Sequence, residues 1–310
     1  MNKYKKKILV VLGGISRERD VSLKSGTACA SALKDLGYNV NFFDPKKKQF
    51  NTINKRNVDI IFNALHGEFG EDGIAQSFFE YLKIPYTHSG VISSMQAMDK
   101  VISKKIFKFK KILSPRYFVI NNQVDFKNIK TKIKINKLRL PIVIKPTNEG
   151  SSIGVFVCIN LKDLENKFKN LRKKYKDIIF EQFIPGQEIQ VATMKNKALG
   201  AIELRPKRKF YDYKAKYLKS AKTDHIMPAN INKKKYLEVL KIAEKTHKAL
   251  HCKGVTRCDF KFYKNKFYLL EINTQPGMTN LSLVPEIAKY RKISFKKLIN
   301  DLVLDASINR

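Results

Sequence analysis

Residues 255–273 carry the strongest constraint on how this chain can fold. Val255-Thr-Arg-Cys-Asp-Phe-Lys-Phe-Tyr263 and Lys266-Phe-Tyr-Leu-Leu-Glu-Ile-Asn273 are apolar or alternating over strand lengths, and Lys264-Asn265 between them suits a tight turn. That is the pattern of a β-hairpin. Residues two apart on a strand share a face, so Glu271 and Asn273 project together. If the strands pair around the turn, Asp259 comes near that face. Two carboxylates and an amide oxygen are hard ligands suited to Mg2+, which keeps several waters and commonly bridges substrate phosphates. Carboxylates that merely faced solvent would be scattered, whereas these precede Thr274-Gln-Pro-Gly277. The metal reading is preferred.

The chain has 310 residues, 43% of them hydrophobic, enough for two or three cores and more than one core usually holds. No apolar stretch is long enough to span a bilayer. Lys3 to Lys7 followed by Ile8-Leu-Val-Val-Leu12 has the outline of a signal peptide, but Gly13-Gly14 and Arg17-Glu18-Arg19-Asp20 end the apolar run early. A buried first strand explains it better. Cys29, Cys158, Cys252 and Cys258 show no C-x-x-C spacing, and a chain of this size does not depend on disulfides. Reduced thiols in the cytoplasm are expected. The formal charge is +35, which in a nucleic-acid or membrane binder would be concentrated. Here lysines spread through every segment and no arginine cluster is present for bidentate base contacts. Codon bias and solvated helix faces account for the charge better than a polyanionic partner, so neither a nucleic acid nor a membrane is expected as one.

The first third alternates strand and helix: strand Ile8–Leu12, helix from about Ser22 to Leu36 closed by Gly37, strands at 39–43 and 59–65, helix at 73–82. Ser22 suits a helix N-cap and Gly37 a left-handed C-cap. Such alternation builds an open parallel α/β sheet with ligands beyond the strand carboxyl ends. Gly13 to Glu18 and His66 to Gly73 form loops at such ends. A second region has a Lys/Phe-rich helix at 99–111, strands at 116–120, 141–145, 153–158 and 178–183, and a helix at 161–175. A third has strands at 188–194 and 197–204, a polar loop at 206–228, a helix at 233–250, the hairpin, and a helix at 294–303. The expected domains are 1–97, 98–185 and 186–310.

Val143-Ile-Lys145-Pro-Thr-Asn-Glu149-Gly-Ser151-Ser152-Ile-Gly154 joins two strands by a flexible loop with a lysine at its base. Backbone amides and hydroxyls there can wrap phosphate oxygens while Lys145 neutralises them. It is not a Walker A loop, because the lysine precedes the glycines and a strand follows. Glu181-Gln182-Phe183-Ile184-Pro-Gly186 ends a strand and offers backbone groups to an adenine edge, and Glu188 suits ribose hydroxyls.

Taken in order, these motifs resemble the D-alanine–D-alanine ligase family of the ATP-grasp superfamily, nearly end to end. The landmarks are Leu12-Gly-Gly-Ile-Ser-x-Glu18-Arg-x-Val-Ser22, Leu65-His66-Gly-x-x-Gly-Glu-Asp-Gly73, Met98-Asp-Lys100, Val143-Ile-Lys145-Pro and Glu149-Gly-Ser151-Ser152. They continue through Phe210-Tyr-Asp-Tyr-x-Ala-Lys216-Tyr217, Arg257-x-Asp259, Glu271-x-Asn273-Thr-x-Pro-Gly277 and Ser282-Leu-Val-Pro285. The resemblance implies a three-domain ATP-grasp fold: an N-terminal parallel sheet, then two α+β domains that clamp ATP. It implies that ATP phosphorylates one D-alanine and that the amine of a second attacks the acyl-phosphate, giving the dipeptide for peptidoglycan. By motif, Lys100, Lys145, Glu181, Gln182, Phe183, Ile184, Glu188, Ser151 and Ser152 contact the nucleotide. Asp259, Glu271 and Asn273 hold a pair of Mg2+ ions, with Mn2+ able to substitute. Glu18, supported by His66, anchors the first D-alanine's ammonium; Arg257 and the Gly277 amide cradle the oxyanion; Lys216 and Ser282 hold the second carboxylate. Tyr217, linked to Ser151 and Glu18, favours a dipeptide over a D-alanine–D-lactate product. The family also implies a homodimer. Lys214, Leu281 and Gln275 depart from the pattern; Gln275 stands where a small residue is usual before the proline. Without the resemblance, Glu18 reads as an acid at a helix start and His66 as a polar loop residue.

Overall fold

The computed structural model describes residues 6–206, 223–279 and 282–310. Three strands, β1 (Lys7–Val11), β2 (Asn39–Phe43) and β3 (Ile60–Asn63), form a parallel sheet ordered β2-β1-β3. Central β1 is a continuous apolar run because both its faces are covered. Helix α1 (Arg19–Asp35) packs on it through small residues, and Gly26 allows a close approach just past the strand, where a Cβ would lie 2.6 Å from that of Leu12. Gly37 closes the helix at φ 83°, as expected of a C-cap glycine. Ser22 corrects the sequence reading. α1 starts about one turn earlier, so Ser22 is no cap; its hydroxyl donates to Ala64 O (2.7 Å) and accepts from Gly13 N–H (2.8 Å), tying the exits of β1 and β3 together. Helices α2 (Ile74–Tyr81), α3 (Val91–Met98) and α4 (Lys100–Phe109) follow. Asp99 caps α4 by accepting from the N–H groups of Val101 and Ile102.

The second sheet is antiparallel, ordered β4-β7-β5-β6, from β4 (Tyr117–Asn121), β5 (Ile142–Pro146), β6 (Phe156–Cys158) and β7 (Asp177–Gln182). Helices α5 (Phe126–Ile135) and α6 (Leu161–Leu171) cover it with Ile129, Ile133, Leu164 and Phe168. The third is a five-stranded antiparallel sheet, β10-β9-β8-β11-β12. It comprises β8 (Gln187–Met194), β9 (Lys197–Pro206), β10 (Thr223–Ile226), β11 (Val255–Tyr263) and β12 (Lys266–Asn273). Helix α7 (Lys233–Ala249) covers one face, and α8 (Leu283–Tyr290) and α9 (Phe295–Leu304) close the chain. Helices α3, α5 and α8 were not read from the sequence, and neither was β10, which pairs with β9 inside the stretch taken as a polar loop. Most of that loop, 207–222 with Lys216 and Tyr217, lies outside the described residues.

One apolar core runs from the first sheet to the third. Leu33 and Phe62 share it with Met194, Ile202, Val284 and Leu302. Tyr38 donates to Asn300 Oδ1 at 2.9 Å, and Tyr86 bridges both Ile61 and Ser307. The end of the chain is thus built into its beginning.

Candidate active site

Between the second and third sheets lies a cleft with about 960 Å³ of empty space, part of it open to solvent. Lys145 projects into it from β5, and Glu181 from the end of β7, between two ammonium groups. Lys145 Nζ is 3.0 Å from one carboxylate oxygen and Lys104 Nζ 2.6 Å from the other. Burial pushes the Glu181 carboxyl up, but the charges and hydrogen bonds of Lys104 and Lys145 outweigh it and hold it below the usual range. Lys100 donates to Glu149 O at 2.5 Å and stands 3.7 Å from Glu271. Gln182, Phe183 and Ile184 line the cleft; Gln182 also gives its N–H to Arg116 O and shares side-chain hydrogen bonds with the Arg139 backbone. Glu188 pairs with Lys261 at 2.7 Å. Gln190, beside Asp259 in the sheet register, is buried with an unpartnered amide oxygen.

A second pocket of about 640 Å³ adjoins the cleft, and Lys100, Glu149 and Glu271 line both. Glu18, buried at the start of α1, accepts a hydrogen bond from the Ser151 hydroxyl, which joins the β1 loop to the β5–β6 loop. Glycines at 67 and 150 make room for this carboxylate, since a Cβ at either would lie within 2.9 Å of Glu18 Oε2. The loop before α1 is braced by Arg19, which forks onto Asp44 (2.6 and 3.0 Å) and donates to Gly14 O. His66 stands with Nδ1 2.9 Å from Glu71 and Nε2 3.3 Å from Ser25 Oγ. Burial disfavours its charge, yet the hydrogen bond and charge of Glu71, with the charge of Glu18, raise it above the ordinary histidine value.

The hairpin face forms through a register change the sequence did not disclose. Lys264 and Asn265 both have positive φ, the geometry of a type I′ turn. Pairing continued regularly from Tyr263↔Lys266 would set Asp259 opposite Leu270 and turn Glu271 to the other face. Instead a bulge between Asp259 and Phe260 sets Asp259 opposite Glu271 and Arg257 opposite Asn273. Arg257 forks onto Asp259 at 2.7 and 2.9 Å. Among the described residues no group of three or more His, Cys, Asp or Glu side chains is placed to hold a metal. The facing pair Asp259 and Glu271, with the Asn273 amide, is nonetheless an all-oxygen set suited to Mg2+, and Arg257 and Lys100 are its present counter-charges. Gly277 lies against Ser282, whose hydroxyl is held by Thr279.

The structure thus brings together Glu18, His66, Lys100, Ser151, Arg257, Glu271, Asn273 and Gly277 around the second pocket, and Lys145, Ser152, Glu181, Glu188 and Asp259 around the cleft. Lys216 and Tyr217 are outside the described residues. Sequence reasoning missed Lys104, one lysine among many on α4, and gave no role to Glu71, although it sits in the loop after His66.

Two family models match the chain: the D-ala D-ala ligase N-terminus over residues 43–89 and the D-ala D-ala ligase C-terminus over residues 106–304. A D-alanine--D-alanine ligase of Pelagibacter ubique is 56% identical over 98% of this chain and 99% of its own length; one of Wolbachia pipientis is 43% identical over 96% and 94%. Among solved structures, a D-alanine--D-alanine ligase from Bacillus anthracis, also determined in complex with ATP, superposes with TM-score 0.84 at 30% identity over 97% of this chain. The VanG D-Ala:D-Ser ligase of Enterococcus faecalis superposes with TM-score 0.83 at 25% identity, over 96% of this chain and 98% of its own. Motifs, sheet order and near-complete alignment agree: this chain, with its ATP-grasp fold, belongs to the D-alanine–D-alanine ligase family.

Proposed function

We propose that the chain joins two D-alanine molecules into D-alanyl-D-alanine, converting ATP to ADP and phosphate, for peptidoglycan synthesis. The observation that carries this reading is the pair of adjoining pockets sharing Lys100, Glu149 and Glu271, one lined by Lys145 and Glu181 and the other by Glu18 and Arg257. A nucleotide in the cleft would point its terminal phosphate at a carboxylate held in the second pocket. Glu18 binds the first D-alanine's ammonium, with Ser151 fixing the rotamer of its carboxylate. A carboxylate oxygen of that substrate attacks the terminal phosphorus and ADP leaves. Lys100 and Lys145 neutralise the charge that spreads over the phosphoryl oxygens, because such transfer is mostly positioning and electrostatics. The second amine, losing its proton, then attacks the acyl carbon and phosphate departs; Arg257 and the Gly277 amide face the oxyanion that develops. Asp259, Glu271 and Asn273 would hold Mg2+, or Mn2+ in its place, which when bound adds positive charge to the phosphates.

In this reading residues 1–97, 98–185 and 186–310 act as three domains, with Ser282, Lys216 and Tyr217 around the second substrate. Four buried free cysteines fit a reducing cytoplasm, and no helix among the described residues is long and apolar enough to cross a membrane. Ile74, Phe78 and Tyr81 of α2 and Ile92 and Met95 of α3 are exposed large hydrophobics, which supports self-association through that face. The deciding experiment is ADP formation with ATP and Mg2+, comparing D-alanine, L-alanine, and D-alanine with D-lactate or D-serine. D-alanine-dependent turnover yielding dipeptide is expected; turnover that ignores D-alanine would overturn the reading.

A further inference from the structure

Gln275 departs from the family pattern, and its surroundings suggest why. It is buried and joins two parts of the chain more than 200 residues apart. Its Oε1 accepts from Asn63 Nδ2 at 2.9 Å, and its Nε2 donates to Leu65 O at 2.7 Å. Its own N–H donates to Asn273 Oδ1 at 2.8 Å. Asn63, wholly buried at the end of β3, also accepts from Leu65 N–H (3.2 Å) and donates to Gly70 O (3.3 Å). The two amides therefore hold both ends of the loop that carries His66 and grip the segment running from Asn273 to Gly277. A parallel tie strengthens the joint, since Ser25 Oγ contacts His66 Nε2 and accepts from Met278 N–H at 3.1 Å.

We infer that Asn63 and Gln275 are a positioning pair that fixes the His66 loop against the Asn273–Gly277 segment, so that the first D-alanine stays in register with the groups that act on its carboxyl. The inference rests on the ligase reading above. Neither residue lines either pocket, but His66 and Gly277, on the two segments their side chains join, line the second pocket and not the nucleotide cleft, so the effect falls mainly on the amino-acid substrate. A buried amide that loses one partner leaves the other unsatisfied, so the two residues act as a unit.

The test uses the full chain with Gln275→Met and Asn63→Leu, singly and together. KM for D-alanine, KM for ATP, kcat and thermal midpoint are measured for each. We expect either single change to lower kcat/KM for D-alanine by about tenfold, Gln275→Met through two lost hydrogen bonds and Asn63→Leu through three, with KM for ATP within about twofold. The double variant should lose no more than the worse single one. Gln275→Glu, which keeps the shape and the acceptor for Asn63 but lacks the donor to Leu65 O, serves if the apolar variants do not fold and should also raise KM for D-alanine. Losses that multiply in the double variant, or a KM for ATP that rises in step with that for D-alanine, would overturn the inference while leaving the ligase reading intact. A parent chain without D-alanine-dependent turnover would instead sink the ligase reading, and this inference with it.

Discussion

Glu271 shows how much one side chain is asked to do at this site. It lines both pockets, faces Asp259 across the hairpin and stands 3.7 Å from the Lys100 ammonium. Glu271→Gln keeps the shape and removes the charge. We expect kcat to fall by on the order of 100-fold or more, because charge facing the transferring phosphoryl group is lost. The thermal midpoint should stay within a few degrees, since this side chain is only partly buried. A magnesium titration of kcat checks it: near-parental rates at saturating Mg2+ would remove Glu271 from the metal set. Glu181 answers to a different logic. It is buried between Lys104 and Lys145, so Lys104→Met leaves a carboxylate with half its compensation. We expect a stability loss of about 1–3 kcal/mol in urea unfolding, with KM for ATP raised because Glu181 lies in the cleft.

At the scale of elements, two close fits position the chemistry. The first is α1 on β1, where Gly26 lets the helix approach Leu12. Gly26→Ala gains helix propensity but pushes its Cβ into a side chain that cannot retreat within a packed core. Overpacking should win, with a net loss of about 1–3 kcal/mol in denaturant midpoint experiments. A weakened Glu18 site should follow, because α1 begins beside that carboxylate. The second fit is the bulge in the β11–β12 hairpin, which brings Asp259 onto the face of Glu271. A strand register slipped by one residue turns every side chain to the opposite face, so this bulge decides whether the carboxylates meet.

At the scale of the whole molecule, buried histidines tie stability to pH. Burial pushes His88 down to about 3 and His247 down to about 4, with the nearby Arg310 charge adding to the effect at His88. A histidine held neutral in the fold contributes stability that is fully present above its unfolded value near 6.5 and is lost as pH falls toward the folded one. Each should therefore cost the fold about 2 kcal/mol by pH 5. His66 has the opposite sign: its raised value contributes below about pH 6.5 and is lost as pH rises through the folded value. Urea unfolding at pH 7.5, 6 and 5 checks the balance, and His88→Asn should flatten the acid slope. A slope unchanged by that substitution would show that other groups govern acid lability. Self-association through α2 and α3 would appear as a dimer in sedimentation, abolished by Tyr81→Glu with Phe78→Glu.

Much of this was legible in the chain. The run Ile8–Leu12, the cap at Gly37 and the alternation around Lys264-Asn265 fix local structure through short-range sterics and period, and they placed most strands and long helices within a few residues. The hairpin carrying Asp259 and Glu271 and the loop after Lys145 pointed to metal and phosphate chemistry by their own pattern, whereas Glu18 and Lys100 were singled out only by the family resemblance; the structure sets all five around the two adjoining pockets. Helix α5 escaped notice because its exposed positions, mostly lysines, include the exposed Ile135, leaving only Ile129 and Ile133 to signal burial. What the sequence could not decide were the long-range relations. It did not disclose the bulge that sets Asp259 opposite Glu271, the second ammonium on Glu181, the return of α9 onto α1, or the amide bridge from Asn63 to Gln275. Each depends on which distant side chain fills a buried space or meets an unsatisfied polar group, and only the packed tertiary structure settles that choice.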